Sequence, residues 1–99
     1  MDVIGKLILQ EFWERHKRAR KPLEKWCQVA EEAEWRNFAR IKQTFRTADL
    51  VNVRTRKFVV FDIGGNKYRL ITTVNYQGQI VIIEVVLTHT EYNKGKWKG

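Results

Sequence analysis

Hydrophobic positions change their period along the chain. Ile8, Leu9, Phe12 and Trp13 recur at helical spacing and predict a helix from about Gly5 to Ala19. Pro22, the only proline, fits the first position of a second helix, where no amide hydrogen bond is lost. Leu23, Trp26, Cys27, Ala30 and Ala33 then form one apolar stripe. Asn37 can cap a third, shorter helix with Phe38, Ile41 and Phe45 on its inner side. Thr47 to Val53 reads as a connection, and Met1 to Ile4 fits a short strand but is too brief to assign. Beyond residue 57 the period shortens. Phe58 to Ile63 is nearly continuous apolar, Gly64-Gly65-Asn66 supplies residues that accept positive φ, and the chain turns back. Tyr68 to Tyr76 alternates, with Tyr68, Leu70, Thr72 and Val74 on one face and Arg69, Ile71, Thr73 and Asn75 on the other. Gln77-Gly78 marks a second turn before Ile80 to Leu87, whose odd positions Val81, Ile83, Val85 and Leu87 are all apolar and are expected to face the helices. Helices first and an antiparallel meander afterwards predict an α+β fold, with the N-terminal helices packed on one face of a small antiparallel sheet. The other face, carrying Arg69, is then expected to stay wet and open to a ligand.

Length and charge narrow the partners. Ninety-nine residues suit a single domain spanning 1–99. The formal net charge of +8 favours a polyanionic partner, either nucleic acid or an acidic protein; a solvated basic surface is the alternative. Part of the charge, at Arg15, Lys17, Arg18, Arg20 and Lys21, falls at the expected end of the first helix, where cations suit the negative pole of the helix dipole. Contact with phosphates is the second reading of that run. The one cysteine, Cys27, sits at an apolar helix position and reads as a buried thiol. The two histidines, His16 and His89, lie far apart, no Cys/His spacing suits a metal, and no cofactor is expected. Glu11 and Glu14 interrupt any apolar leader, and no apolar run approaches the ~18 residues of a membrane span, so the cytoplasm is the expected compartment.

Candidate chemistry gathers around one hairpin and one tail. From Arg54 to Leu70 a basic cluster, Arg54, Arg56 and Lys57, runs into the first strand of the hairpin, and Lys67 and Arg69 lie on the second. After the last strand comes Thr88-His89-Thr90-Glu91-Tyr92-Asn93-Lys94, then Gly95-Lys96-Trp97-Lys98-Gly99. An imidazole, with an unperturbed pKa near ~6.5, exchanges protons at neutral pH, whereas a phenol near ~10 needs neighbouring cations before it acts as a base.

Phe61-Asp62-Ile63-Gly64-Gly65-Asn66-Lys67-Tyr68-Arg69-Leu70-Ile71, together with Thr88-His89-Thr90-Glu91-Tyr92-Asn93-Lys94, resembles the HigB group of bacterial type II toxins within the RelE-like superfamily. The similarity extends over nearly the whole chain. It implies a RelE-like fold and a toxin that cleaves messenger RNA on the translating ribosome without a metal. It also implies a HigA-like antitoxin, usually a helix-turn-helix protein, with operator DNA engaged only indirectly through the complex. By motif position, Arg69 would stabilise the scissile phosphate and His89 and Tyr92 would move protons, which of them serves as base being left open. Lys57 and Lys94 would contact phosphate or shift a neighbour's pKa, and Arg54, Arg56 and Lys67 would bind the RNA backbone.

Each assignment has a plainer counterpart. Arg69 can pair with Asp62 or Glu84 across the sheet, Tyr92 can cover the sheet edge, and Lys57, alternating with Val59, Phe61 and Ile63, can lie along the core. Some relatives carry a C-terminal helix where this chain has Trp97, which reads as a loose replacement and leaves the place of Lys94 open. A basic RNA-binding module without catalysis shares the charge and the hairpin but needs neither His89 nor Tyr92. A folded partner that only sequesters its neighbour is a third reading.

Overall fold

A computed structural model describes residues 1–99. Its strands are β1 (Asp2–Ile4), β2 (Asp49–Val53), β3 (Arg56–Ile63), β4 (Tyr68–Asn75) and β5 (Ile80–Thr88). They form one five-stranded sheet in the order β1-β5-β4-β3-β2, antiparallel throughout except for β1, which lies parallel to β5. The helices are α1 (Lys6–Arg15), α2 (Arg20–Glu32), α3 (Phe38–Thr44) and α4 (His89–Asn93), with single 3-10 turns at Lys17–Ala19 and Lys96–Lys98. The fold is α+β, as the change of period predicts. No helix is long and apolar enough to cross a membrane.

The N-terminal helices bury one face of the sheet. Leu9, Phe12, Leu23, Trp26, Ala30 and Ile41 meet Val59, Phe61, Ile63, Leu70, Val81 and Ile83 in one apolar cluster. Phe61, fully buried, is its centre: the rings of Trp26 and Phe45 meet it edge-on, at 5.2 and 5.3 Å between centroids. Asn37 caps α3, its Oδ1 accepting from the Arg40 amide at 3.1 Å.

Three local expectations change. Thr47 to Val53 is largely strand: β2 pairs with β3 across a two-residue reversal in which Arg54 takes φ 57°. The first helix stops at Arg15, because His16 adopts φ −127° and ψ 79°, and a 3-10 turn leads into α2. Pro22 is therefore the third residue of α2, still within the first turn, whose amides have no partner inside the helix.

The last strand changes face partway. Ile71 opposes Val85 while Thr72 opposes Ile83, so Glu84 is an extra residue, a β-bulge. Before the bulge Val81 and Ile83 face the helices. After it Val86 does, and Val85 and Leu87 turn to the opposite face. The expectation that all four odd positions face the helices fails for Val85 and Leu87 for this reason. That opposite face is not wholly wet either. Phe58, Val60 and Ile71 are buried there beneath Tyr92 and Trp97, because the C-terminal tail folds back over the sheet.

Candidate active site

The two-glycine turn between β3 and β4 both reverses the chain and holds a side chain. Gly64 and Gly65 take φ 64° and 72°, which L side chains rarely adopt. Asn66 is thereby brought back over the start of β4. Its side-chain oxygen accepts from Nη2 of Arg69, and its carbonyl, at 3.4 Å, shares Nη1 with the Tyr68 carbonyl at 3.2 Å. Cross-strand register sets Asp62 opposite Arg69, and its Oδ1 forms an ion pair with Nε at 3.1 Å. The Tyr92 ring lies over the guanidinium, 5.6 Å from its centroid. Arg69 is consequently only 9 % exposed. Of the two carboxylates within reach by sequence, Asp62 takes Arg69. Glu84, placed by the bulge, accepts from Thr73 at 2.9 Å and pairs with Arg56 at 3.6 Å.

From Arg69 a row of rings crosses the sheet. Tyr92 stacks on Trp97 with centroids 5.6 Å apart and planes at 16°, and Trp97 meets the edge of Phe58 at 5.6 Å and 89°. Arg56 lies over Phe58 at 4.8 Å and Lys98 over Trp97 at 5.8 Å. Trp97 separates two hollows. One, of about 420 Å³, is lined by Val85, Leu87, Glu91, Lys94, Lys96 and Trp97. The other, of about 250 Å³, lies among Arg54, Arg56, Phe58, Trp97 and Lys98. The indole Nε1 of Trp97 is buried without a hydrogen-bond partner.

The short helix α4 carries the imidazole and the phenol. A capping box starts it: Thr88 Oγ1 accepts from the Glu91 amide at 3.2 Å, and Glu91 Oε1 accepts from the Thr88 amide at 2.9 Å. The Thr88 amide holds the Glu91 carboxyl below its ordinary range. The His89 amide donates to the Lys67 carbonyl at 2.9 Å, tying the helix to the β3–β4 turn. His89 and Tyr92 are three residues apart, so both project from neighbouring positions of one helical face. Nε2 of His89 meets the Asn93 amide nitrogen at 3.0 Å, while Nδ1 is buried and finds no partner. Burial pushes the Tyr92 phenol above its ordinary pKa. Asp49 and Asp62 push the same way, and Arg69 opposes them without prevailing.

The structure thus joins Arg69 directly to Tyr92, sets His89 on the same short helix, and places Lys94 on the rim of the larger hollow and Arg54 and Arg56 on the smaller. No hydrogen bond joins His89 to Arg69 or Tyr92. Lys67 is exposed in the turn. Lys57 is not part of this group. It pairs with Asn52 and lines a separate hollow with Phe38, Leu50, Val59, Val74 and Tyr76, on the helix-bearing face. Strand alternation is the reason, since Lys57 shares parity with Val59 and Arg69 is registered with Asp62. Asn66, Phe58 and Trp97 contribute to the site without having been singled out for it. Asn66 carried a signal, as a turn residue whose side chain can accept locally; Trp97 carried only its own size.

No three His, Cys, Asp or Glu side chains come together as a metal-binding group. Cys27 is half-buried on α2, with Sγ 3.6 Å from Glu31 Oε1, and its thiol is pushed up to about 11, chiefly by burial. No curated protein matches the chain. Residues 19–95, which include the hairpin, the Arg69 clamp and α4, match the family model HigB_toxin, RelE-like toxic component of a toxin-antitoxin system. The chain belongs to this HigB toxin family, and its place as the toxic component of such a system implies an antitoxin partner.

Proposed function

We propose that this toxin is a ribosome-dependent endonuclease of messenger RNA that works without a metal, and that a HigA-like helix-turn-helix protein neutralises it. The observation that carries the reading is the buried Arg69 guanidinium beneath the Tyr92 ring, with an imidazole on the same short helix as that ring and Lys94 and Lys96 on the rim of the adjoining hollow. In the reaction the substrate's own 2′-oxygen attacks the adjacent phosphorus. The O2′–P bond forms, the P–O5′ bond breaks, and the products are a 2′,3′-cyclic phosphate and a 5′-hydroxyl. One proton leaves the 2′-hydroxyl and one reaches the departing O5′. His89 is the group we assign to the first transfer. The raised phenol supports Tyr92 as donor in the second only in that it keeps the proton in place at neutral pH, since the same shift weakens it as an acid. Arg69 and Lys94 are assigned to the charge that builds on the phosphoryl oxygens.

One observation favours a second reading, an RNA-binding protein without catalysis: the guanidinium is already engaged by Asp62, Asn66 and the Tyr68 carbonyl. Mapping RNA ends after brief induction decides between them. Discrete new 5′ ends inside coding regions are expected from the parent protein and are expected to vanish in a folded His89→Ala/Tyr92→Phe variant. Growth arrest with no new ends in the parent sinks the nuclease reading and leaves the binding one.

A further inference from the structure

Strand β2 is a sheet edge that the chain leaves open. The strand order puts it outermost, paired with β3 on one side only. In an antiparallel ladder every second residue turns its N–H and C=O away from the neighbouring strand, so the far side of β2 carries unpaired backbone groups. Native edges are usually short, charged or broken by proline. The opposite edge, β1, is short, at three residues. β2 has five, Asp49-Leu50-Val51-Asn52-Val53, with one charge at its start and no proline. Its side chains are apolar toward both faces. Leu50 lies opposite Val59 on the helix-bearing face and is 40 % exposed, while Val51 and Val53 flank the cluster beneath the tail.

An apolar hollow adjoins the same edge. Phe38 at the start of α3, Leu50, Val59, Val74 and Tyr76 line about 230 Å³, and Lys57 is the one charged group among them. Cations stand at both ends of the strand. Arg46 precedes it and Arg54 follows it, and both, like Lys57, are exposed and have no ion pair. Val53 and Arg54 also line the smaller hollow beside Trp97, so a segment running on past β2 reaches the candidate active site.

We propose that β2 receives an extended, acidic segment of the antitoxin as an added strand, with an apolar side chain seated in the hollow and carboxylates beside Lys57, Arg46 and Arg54. The inference rests on the antitoxin partner of the reading above and makes no use of its cleavage step. Main-chain hydrogen bonds supply affinity in this mode, and alternate side chains supply specificity. A nucleic acid has no amide ladder to offer the edge, and a hollow apolar everywhere but at Lys57 suits a protein side chain rather than a phosphate. Charge disfavours a second copy of this chain. Antiparallel pairing of two β2 strands sets the Arg46 end of each against the Arg54 end of the other, on a protein of net charge +8.

The test titrates the purified cognate antitoxin into labelled toxin. The parent is compared with Leu50→Lys, with Lys57→Glu, and with a control at the opposite edge, Leu7→Lys, whose side chain is 64 % exposed. Leu50→Lys removes an interface anchor and is expected to raise the dissociation constant by about 30-fold or more. Lys57→Glu is expected to raise it by about tenfold and to weaken its salt dependence. Leu7→Lys is expected to leave it unchanged. All three side chains are exposed, so melting temperatures near the parent's are expected. Hydrogen exchange at the amides of 49–53 is expected to slow in the parent complex. With the antitoxin co-expressed, Leu50→Lys is expected to arrest growth where the parent no longer does. Equal affinity in every variant, or a loss in Leu7→Lys alone, overturns the proposal and leaves the antitoxin partner standing; no binding to the parent removes both. Weaker binding by Leu50→Lys without slowed exchange in β2 also overturns it, because the hollow then takes a helix rather than a strand. So does a toxin dimer that Leu50→Lys dissociates, since a second copy then occupies the edge.

Discussion

Removing Arg69 separates its structural from its chemical role, provided Asp62 is removed as well. The pair is three-quarters or more buried, with side chains 11 % and 24 % exposed for Arg69 and Asp62. Breaking one partner of a fully buried pair costs about 3–5 kcal/mol, and an exposed pair contributes about 0–1. Arg69→Ala strands the Asp62 carboxylate in this intermediate setting, so a loss of about 2–3 kcal/mol is expected. The Asn66 acceptors are at an exposed turn and rehydrate, adding little. A domain of this size has about 5–15 kcal/mol in hand, so the variant folds, with a melting temperature lower by roughly 10–20 °C. Asp62→Ala/Arg69→Ala leaves no stranded charge and is expected to regain about 1–2 kcal/mol of that loss. Activity is expected to behave differently. Loss of one transition-state donor lowers a rate by about 10²–10³, and this loss does not recover in the double variant. The assay pairs thermal unfolding by circular dichroism with growth after induction at a temperature where every variant is folded. If toxicity returns together with stability in the double variant, the guanidinium is a staple and its assignment to the scissile phosphate is wrong.

Other outcomes follow from the same geometry. Trp97→Ala removes the ring that spans both hollows, and one lost base–ring stack, about 1–3 kcal/mol, should weaken binding of an uncleavable single-stranded RNA by roughly tenfold or more while the protein stays folded; unchanged affinity in a titration would place the strand elsewhere. Lys57→Ala, on the helix-bearing face, is expected to leave growth arrest intact, and relief of arrest in a folded variant would overturn the facial assignment. Tyr76 and Tyr92 both have phenols raised by burial. Their stabilising contribution is full below the unfolded value near ~10 and is lost as pH rises through the folded values, so unfolding should set in on the alkaline side above about pH 10. Phenylalanine at either position should shallow that limb, and an identical limb in both variants would refute the cause. Cys27, with its thiol pushed up to about 11, should react sluggishly with a thiol-specific disulfide reagent at pH 8 in the native protein and freely in denaturant; equal native and denatured rates would contradict it.

Strong periods made most of the fold legible, and the misses have local physical causes. Strand β2 went unread because Arg54-Thr55 turns the chain without the glycine or asparagine that normally marks a two-residue hairpin. The arginine at φ 57° is held by pairing on both sides, which no single residue announces. The break at His16 was hidden because Lys17, Arg18 and Ala19 are good helix formers. Their 3-10 turn is set by packing, with Ala19 fully buried and His16 stacked on Phe12 at 4.4 Å. At the bulge, Glu84 looked like one polar interruption of an apolar strand. An inserted residue and a polar residue in register have the same spelling, and only the partner strand tells them apart.

The site shows the same limit in electrostatic form. Motif and alternation put Arg69 on the face away from the helices, and that is where it lies. Alternation says which side a residue faces but not what covers that side. The covering comes from a tail without hydrophobic periodicity, whose one large apolar group, Trp97, reaches back over Phe58 and stacks on Tyr92. Counting charges along the chain sets Arg69 and several lysines near Tyr92 and argues for a lowered phenol. The folded chain raises it instead, because the rings exclude water and Asp49 and Asp62 offset the guanidinium. A phenolate over that sheet would have to lose hydration that the Arg69 charge, already shared with Asp62, does not replace. His89, on the same short helix, keeps its Nδ1 buried without a hydrogen-bond partner. In the proposed reaction Tyr92→Phe is therefore expected to alter the activity profile on its alkaline side alone, and a Tyr92→Phe shift of the acidic limb would reverse the two proposed roles.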